Sequence, residues 1–171
     1  HYLAEKYEES YDHSIPEDLI YSGPHTLTEA TEIDGVDVGK LILSPTRTYL
    51  PMMVPILHEF RKQINGIIHC SGGAQTKVLH FTNKLHIVKD NMFALPPLFR
   101  MIQESSGTDW KEMYKVFNMG HRLEIYTNEK AAEEMIQIAK EFNIDAQIVG
   151  HVEASEKKQL TIKSEFGTFE Y

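Results

Sequence analysis

The sequence predicts an α/β (α+β) fold in which helices cover a mixed β-sheet. Short apolar runs rich in β-branched residues, typical of buried strands, alternate with stretches whose apolar residues recur at helical spacing. A length of 171 residues with 42% apolar and 25% charged residues suits one ordinary globular core. The sequence therefore indicates a single α/β domain.

The composition divides the chain near Lys40. Residues 1–40 carry scattered acids, Gly23-Pro24 and only weak periodicity, so we interpret them as an irregular lead-in with one short helix from Tyr2 to Tyr7. The predicted domain covers residues 41–171. It opens with the apolar run Leu41-Ile42-Leu43, which we interpret as a buried strand.

Periodicity predicts the remaining elements in order. Apolar residues at i, i+3, i+4 and i+7 mark helices, and alternating or continuous apolar runs mark strands. Asp109 and Asn128 precede two of the helices as candidate caps. The predicted helices cover 53–60, 75–80, 96–102, 109–116 and 128–142, and the predicted strands cover 64–70, 85–89, 121–126, 146–152 and 160–162.

Charge and cysteine usage exclude several classes of protein. With 17 basic and 25 acidic residues the formal net charge is −8, so a phosphate-backbone footprint for nucleic acid is absent. No apolar run approaches the roughly 20 residues that cross a bilayer. Cys70 has no cysteine partner within the chain, which fits a reducing cytoplasm. The start at His1, without Met or a signal pattern, indicates a fragment or a processed chain.

Metal and nucleophile chemistry have weak support. None of the nine histidines pairs with another at the i, i+4 spacing of a helical zinc site, so we predict no metal site in this chain. Cys70 follows His69, but neighbouring residues on a strand point to opposite faces and cannot share a proton. We therefore expect a buried core thiol.

The turn at Gly72-Gly73 is the main candidate for anion binding. It follows an apolar strand and precedes a short helix with Thr76 and Lys77 in its first turn. Backbone N–H groups in such a turn can bind phosphate, and glycine allows the ligand to approach closely. The alternative is a plain tight turn.

Two further loops are candidates for ligand binding. Thr46 and Arg47 follow a predicted strand, and Arg supplies a bidentate donor for phosphate, although Arg47 could instead pair with a surface carboxylate. Asn118 follows a predicted helix. It either ends that helix in a left-handed conformation or orients a ligand with its side chain.

At these places the chain resembles the C-terminal domain of the aminoimidazole ribonucleotide synthetase family, also called phosphoribosylformylglycinamidine cyclo-ligases. The matching segments, in the family's order, are LSPTRTY (43–49), GIIHCSGG (66–73), PPLF (96–99), EMYKVFNMG (112–120) and IVGHV (148–152). The resemblance implies an α/β domain that packs on an N-terminal ATP-binding domain, and the lead-in 1–40 would follow that missing domain. It also implies a cytoplasmic homodimer.

The resemblance further implies ring closure of formylglycinamidine ribonucleotide in purine biosynthesis, with ATP and Mg²⁺ as cofactors. The family's catalytic residues belong to the N-terminal domain, so this chain would bind substrate but neither bind ATP nor be active alone. Gly72, Gly73, Arg47 and Thr46 would then bind the substrate phosphate. Further possible substrate contacts are His69, Ser71 and Asn118.

The chain departs from the family pattern in two places. Ala74 to Val78 replace the usual third glycine and Asn-x-Pro-Arg stretch, and His121-Arg122 replace small apolar residues. These departures leave two alternatives open. One is a non-catalytic dimerisation or regulatory module of the same fold. The other is a related enzyme such as formylglycinamidine ribonucleotide synthetase, selenophosphate synthetase or thiamine monophosphate kinase.

Overall fold

The computed structural model describes residues 5–16, 23–45 and 47–171. The chain divides into two compact units, 1–45 and 46–171. Of the helix predicted from Tyr2 to Tyr7, Glu5 and Lys6 are helical, while residues 1–4 lie outside the described part.

Helix α1 (Val38–Ile42) is the main element of the first unit. The Asp37 carboxylate caps it by accepting a hydrogen bond of 2.7 Å from the Lys40 amide. The strand predicted at Leu41-Ile42-Leu43 is therefore wrong. The cap begins a helix before the apolar run, and Leu43 is 80% exposed.

The second unit contains a four-stranded mixed sheet and a two-stranded ribbon. The strands are β1 (Gly66–His69), β2 (Leu85–Lys89), β3 (Leu123–Tyr126), β4 (Gly150–Ala154), β5 (Gln159–Ser164) and β6 (Gly167–Glu170). The sheet has the order β4-β2-β5-β6, with β2 parallel to β5 and the other pairs antiparallel. Strands β1 and β3 form the antiparallel ribbon. The mixed α/β fold is thus confirmed.

The helices of this unit also follow the predicted order. They are α2 (Leu50–Phe60), a 3₁₀ helix (Ala74–His80), α3 (Pro97–Ser106), α4 (Trp110–Val116) and α5 (Glu129–Glu141). The predicted caps are confirmed, because Asp109 accepts from the Glu112 amide and Asn128 from the Ala131 amide. None of the described helices is long and apolar enough to cross a membrane.

Two apolar clusters hold the second unit together. One joins the sheet to the 3₁₀ helix and α4, through residues such as Val78, Ile87, Met113 and Leu160. The other joins α2 to α5, because Ile56 and its helix neighbours pack against the Met135 face. The 3₁₀ helix that follows the Gly72-Gly73 turn is therefore anchored by the first cluster.

A substitution at Gly150 tests how closely β4 packs against β2. A Cβ at this position would collide with the Val88 carbonyl group, because the backbones of the two strands approach closely there. We expect Gly150→Ala to lower the free energy of unfolding by about 3 kcal/mol, the upper part of the range for overpacking, as measured by urea denaturation. Gly66→Ala is the control, since its Cβ would meet only the Tyr126 ring at 3.9 Å. Equal stability of the two variants would contradict the close approach.

Candidate functional site

The Gly72-Gly73 turn begins directly after β1. Gly73 has φ 84° and ψ −5°, the left-handed values that the third residue of a type II turn requires. The Ala74 amide closes the turn with a hydrogen bond of 2.7 Å to the Ser71 carbonyl. The amides of Gly72 and Gly73 donate to no described residue, and a Cβ on Gly72 would meet open space. The turn therefore presents two free donors.

Side chains add a hydroxyl and a cation to this turn. The Lys77 ammonium donates to the Ser71 hydroxyl at 2.6 Å, and the Thr76 hydroxyl donates to the Gly73 carbonyl at 2.9 Å. Ser71 is exposed and Lys77 is half-buried. Together with the free amides, these groups can bind an oxyanion. The sequence indicated Lys77 only by its place in the first helical turn.

The loop after α4 contacts the element that follows the glycine turn. The Asn118 carbonyl accepts a hydrogen bond of 2.7 Å from Gln75, and the Asn118 side-chain oxygen accepts one of 2.9 Å from the Gly120 amide. The prediction that Asn118 ends the helix in a left-handed conformation is wrong. Phe117 caps α4 in an extended conformation, and the positive φ values belong to Met119 and Gly120.

The remaining predicted residues differ in how they relate to this turn. The His69 carbonyl accepts a hydrogen bond of 2.8 Å from the Ser71 amide, at the start of the turn. Arg47 is exposed and donates to the Asn143 carbonyl at 2.8 Å, just beyond α5, and no described hydrogen bond or ion pair connects it to Gly72 or Gly73. Thr46 lies outside the described residues. His69 is exposed at the end of β1. A phosphate role for Arg47 and Thr46 stays a prediction.

A buried charged cluster lies next to the turn. Lys89 at the end of β2 is 2% exposed and forms an ion pair with Glu124 of β3, which is 6% exposed. The Lys89 ammonium also donates to the Gln75 carbonyl at 2.8 Å and to its side-chain oxygen at 2.9 Å. The Tyr126 hydroxyl donates to the second Glu124 oxygen. Buried charges require such partners, and both the Lys89 ammonium and the Glu124 carboxylate have them here.

Burial sets the protonation of the neighbouring groups. It lowers the pKa of His121 to about 4, and Glu124 only partly offsets this effect. Burial and the Glu124 carboxylate raise the pKa of Cys70 to about 12. Burial alone would raise the pKa of Glu124, but the Lys89 ammonium and its other partners hold it below its usual range. Cys70 is therefore a neutral thiol, as its interpretation as a core residue requires.

Cys70, His121 and Glu124 form the only described group of histidine, cysteine and acidic side chains that could hold a metal ion, with ligand atoms within 4.8 Å of one another. The sequence missed this group, because Cys70 is far along the chain from His121 and Glu124. Lys89 already supplies a cation to the carboxylate, and the thiol holds its proton. The arrangement is charge-balanced without a metal.

The fold and the turn define the class as a mixed α/β domain whose first strand runs into a two-glycine turn. Residues 20–163 match the model of a family described as "AIR synthase related protein, C-terminal domain". The chain belongs to this family. The recognition made from the sequence segments is confirmed.

The relatives are longer than this chain. Phosphoribosylformylglycinamidine cyclo-ligase of Methanocaldococcus jannaschii is 30% identical over 118 residues, which are 69% of this chain and 34% of the relative. The Methanococcus vannielii protein of the same name is 30% identical over 138 residues, covering 80% and 39%. The chain thus spans between a third and two fifths of their length.

A solved structure supports the fold alone. The crystal structure of E. coli HypE, a hydrogenase maturation protein, matches with a TM-score of 0.52 and 18% identity. The match covers 84% of this chain and 45% of HypE. It agrees with the mixed α/β architecture.

The pKa of His121 predicts how stability depends on pH. Because the folded pKa lies near 4 and the unfolded value near 6.5, the unfolded chain binds more protons between these values, and stability falls as the pH drops through this window. We expect a loss of roughly 3 kcal/mol between pH 8 and pH 4, measured by urea unfolding. Below about pH 4.5, the ordinary pKa of a glutamate, the unfolded chain also takes up a proton at Glu124. Because the folded pKa of Glu124 is lower, this uptake adds to the loss of stability.

Two variants isolate this effect. His121→Gln should flatten the dependence between pH 6.5 and pH 4.5, since the amide does not titrate there. His69→Gln removes an exposed histidine and should leave the slope unchanged. If both variants retained the wild-type slope, His121 would not be its source.

Proposed function

We propose that this chain is the C-terminal, substrate-binding part of a longer ATP-dependent phosphoribosylformylglycinamidine cyclo-ligase. In this proposal, the Gly72-Gly73 turn binds the 5′-phosphate of formylglycinamidine ribonucleotide. The observation that carries the proposal is the pair of free amides in that turn, beside Ser71 and Lys77. Family membership and the names of the relatives support the reaction class.

The residues of the turn have distinct roles in this proposal. The amides of Gly72 and Gly73 donate to phosphate oxygens, and the absence of a Cβ on Gly72 allows close approach. The ammonium of Lys77 supplies the positive charge. The chain's net charge of −8 repels anions at long range, so binding depends on this local geometry. Asn118 is a further contact for the ribose or the reacting group.

ATP and Mg²⁺ would be bound by the rest of the longer protein. Mg²⁺ prefers oxygen ligands in octahedral geometry, often including water. The described Cys70–His121–Glu124 group offers one carboxylate that already pairs with Lys89, so it does not fit this ion. We also propose that the longer protein works as a homodimer in the cytoplasm. The present chain would position substrate, and its contribution to catalysis would be orientation.

Ligand titration followed by NMR tests the proposal. Addition of ribose 5-phosphate to the 171-residue chain should shift the amide signals of Gly72 and Gly73, while ribose and ATP should leave them in place. Lys77→Met should weaken binding by the order of 1–3 kcal/mol, as expected for a lost charge-assisted hydrogen bond. Arg47→Ala should weaken binding by the same order, as the predicted phosphate contact of Arg47 requires, and an unchanged affinity would remove Arg47 from the site.

Lys140→Met is the matched control, because it removes one positive charge from the end of α5. Its affinity for ribose 5-phosphate should equal that of the wild type. Tight binding of ATP by this chain, or equal effects of the two lysine variants, would contradict the proposal.

A further inference from the structure

Gln75 connects the two turns of the candidate site. It is fully buried, at 0% exposure, and lies two residues after Gly73. Its side-chain amide nitrogen donates to the carbonyls of Asn118, at 2.7 Å, and His121, at 3.4 Å. One glutamine side chain therefore joins the glycine turn to the loop of residues 118–121.

Lys89 holds Gln75 from the other side. Its ammonium donates to both the main-chain and the side-chain oxygen of Gln75. Because these bonds use the oxygen of the Gln75 amide, its NH₂ group points toward the second loop. The Lys89–Glu124 pair fixes the ammonium in turn. A buried ion pair contributes little net stability compared with apolar residues. What the Lys89–Glu124 pair does is hold the ammonium where both Gln75 oxygens can accept from it.

Both turns need such support, because each holds a non-glycine residue in the left-handed region. Ala74 has φ 41° and Met119 has φ 54°. Conformations of this kind persist where surrounding contacts impose them. Both side chains are buried. Ala74 directly precedes Gln75, and Met119 directly follows Asn118, whose carbonyl Gln75 binds. The hydrogen bond from Gln75 to the Asn118 carbonyl thus connects the two places where a non-glycine residue has a positive φ.

Asn118 is left with a free donor. Its side-chain oxygen accepts from the Gly120 amide, whereas its NH₂ group donates to no described residue. Because Gln75 holds the Asn118 carbonyl, it also sets how far this NH₂ group lies from the glycine turn.

We propose that Gln75, held by Lys89, is a positioning residue that fixes the Asn118 loop relative to the Gly72-Gly73 turn. A phosphorylated sugar bound by its phosphate at the glycine turn then meets the Asn118 NH₂ group. This inference rests on the proposed function. Inorganic phosphate needs the glycine turn alone, so the selectivity for a sugar phosphate over phosphate depends on Gln75.

Gln75→Met is the direct test, because methionine keeps the volume and unbranched shape and leaves the Lys89–Glu124 pair in place. Affinity for ribose 5-phosphate should fall about tenfold, whereas affinity for inorganic phosphate should change less than twofold. Wild-type affinity for both ligands would overturn the inference. Equal loss for both ligands would also overturn it, since the effect would then lie in the glycine turn itself.

A second measurement needs no ligand. The His121 amide donates to the Asn118 carbonyl, and its hydrogen exchange reports how firmly the loop is held. Gln75→Met should accelerate this exchange about tenfold, and an unchanged rate would overturn the inference. If the wild-type chain bound neither ligand, the proposed function would fail, while the exchange rate would still decide the positioning role.

Two further variants complete the design. Gln103→Met is the matched control, because Gln103 also donates to a main-chain carbonyl, that of Thr108, at 3.1 Å. It should alter neither ligand selectivity nor exchange at His121. If Gln75→Met does not fold, Lys89→Met/Glu124→Gln replaces both charges with neutral residues of similar shape. It should cause the same loss of selectivity, and wild-type selectivity would overturn the inference.

Discussion

The buried pair of Lys89 and Glu124 is the constraint on which the candidate site depends. Lys89 ends a strand of the four-stranded sheet, and Glu124 lies in the two-stranded ribbon, so their ion pair joins the two β-structures. The remaining Lys89 hydrogen bonds reach Gln75, which leads to both turns. Removal of either charge would leave its partner buried and unpaired, which is strongly destabilising.

The apolar clusters and this polar cluster have different roles. Apolar packing stabilises the helices against the strands but does not select one arrangement of the loops, because it is not directional. Hydrogen bonds from Gln75 and Lys89 have defined partners and lengths. The low pKa of His121 follows from the same burial. A site for a small polar ligand needs this kind of directional support.

The structure explains how the two departures from the family pattern, at Ala74 to Val78 and at His121-Arg122, are related. Gln75 lies within the altered segment after the glycine turn, and His121 is the first of the two altered residues that follow Gly120. In the structure, the Gln75 side chain donates to the main-chain carbonyl of His121, and the His121 ring nitrogen lies 3.4 Å from the Glu124 carboxylate. The two departures are therefore parts of one polar network. Arg122, the altered residue next to His121, lines a cleft of about 1190 Å³ together with Arg47 and Lys89.

The sequence by itself determined the local elements. Caps at Asp109 and Asn128, helical periodicity, and the strand before Gly72 are encoded within a few residues, so they were predictable. The prediction was wrong at Leu41 to Leu43, where the Asp37 cap begins a helix despite the apolar run. It missed β6, because this strand depends on pairing with β5. Only the tertiary structure brought Gln75, Lys89, His121 and Glu124 together. They are up to 49 positions apart, and their contacts result from how the strands pack, which no local pattern records.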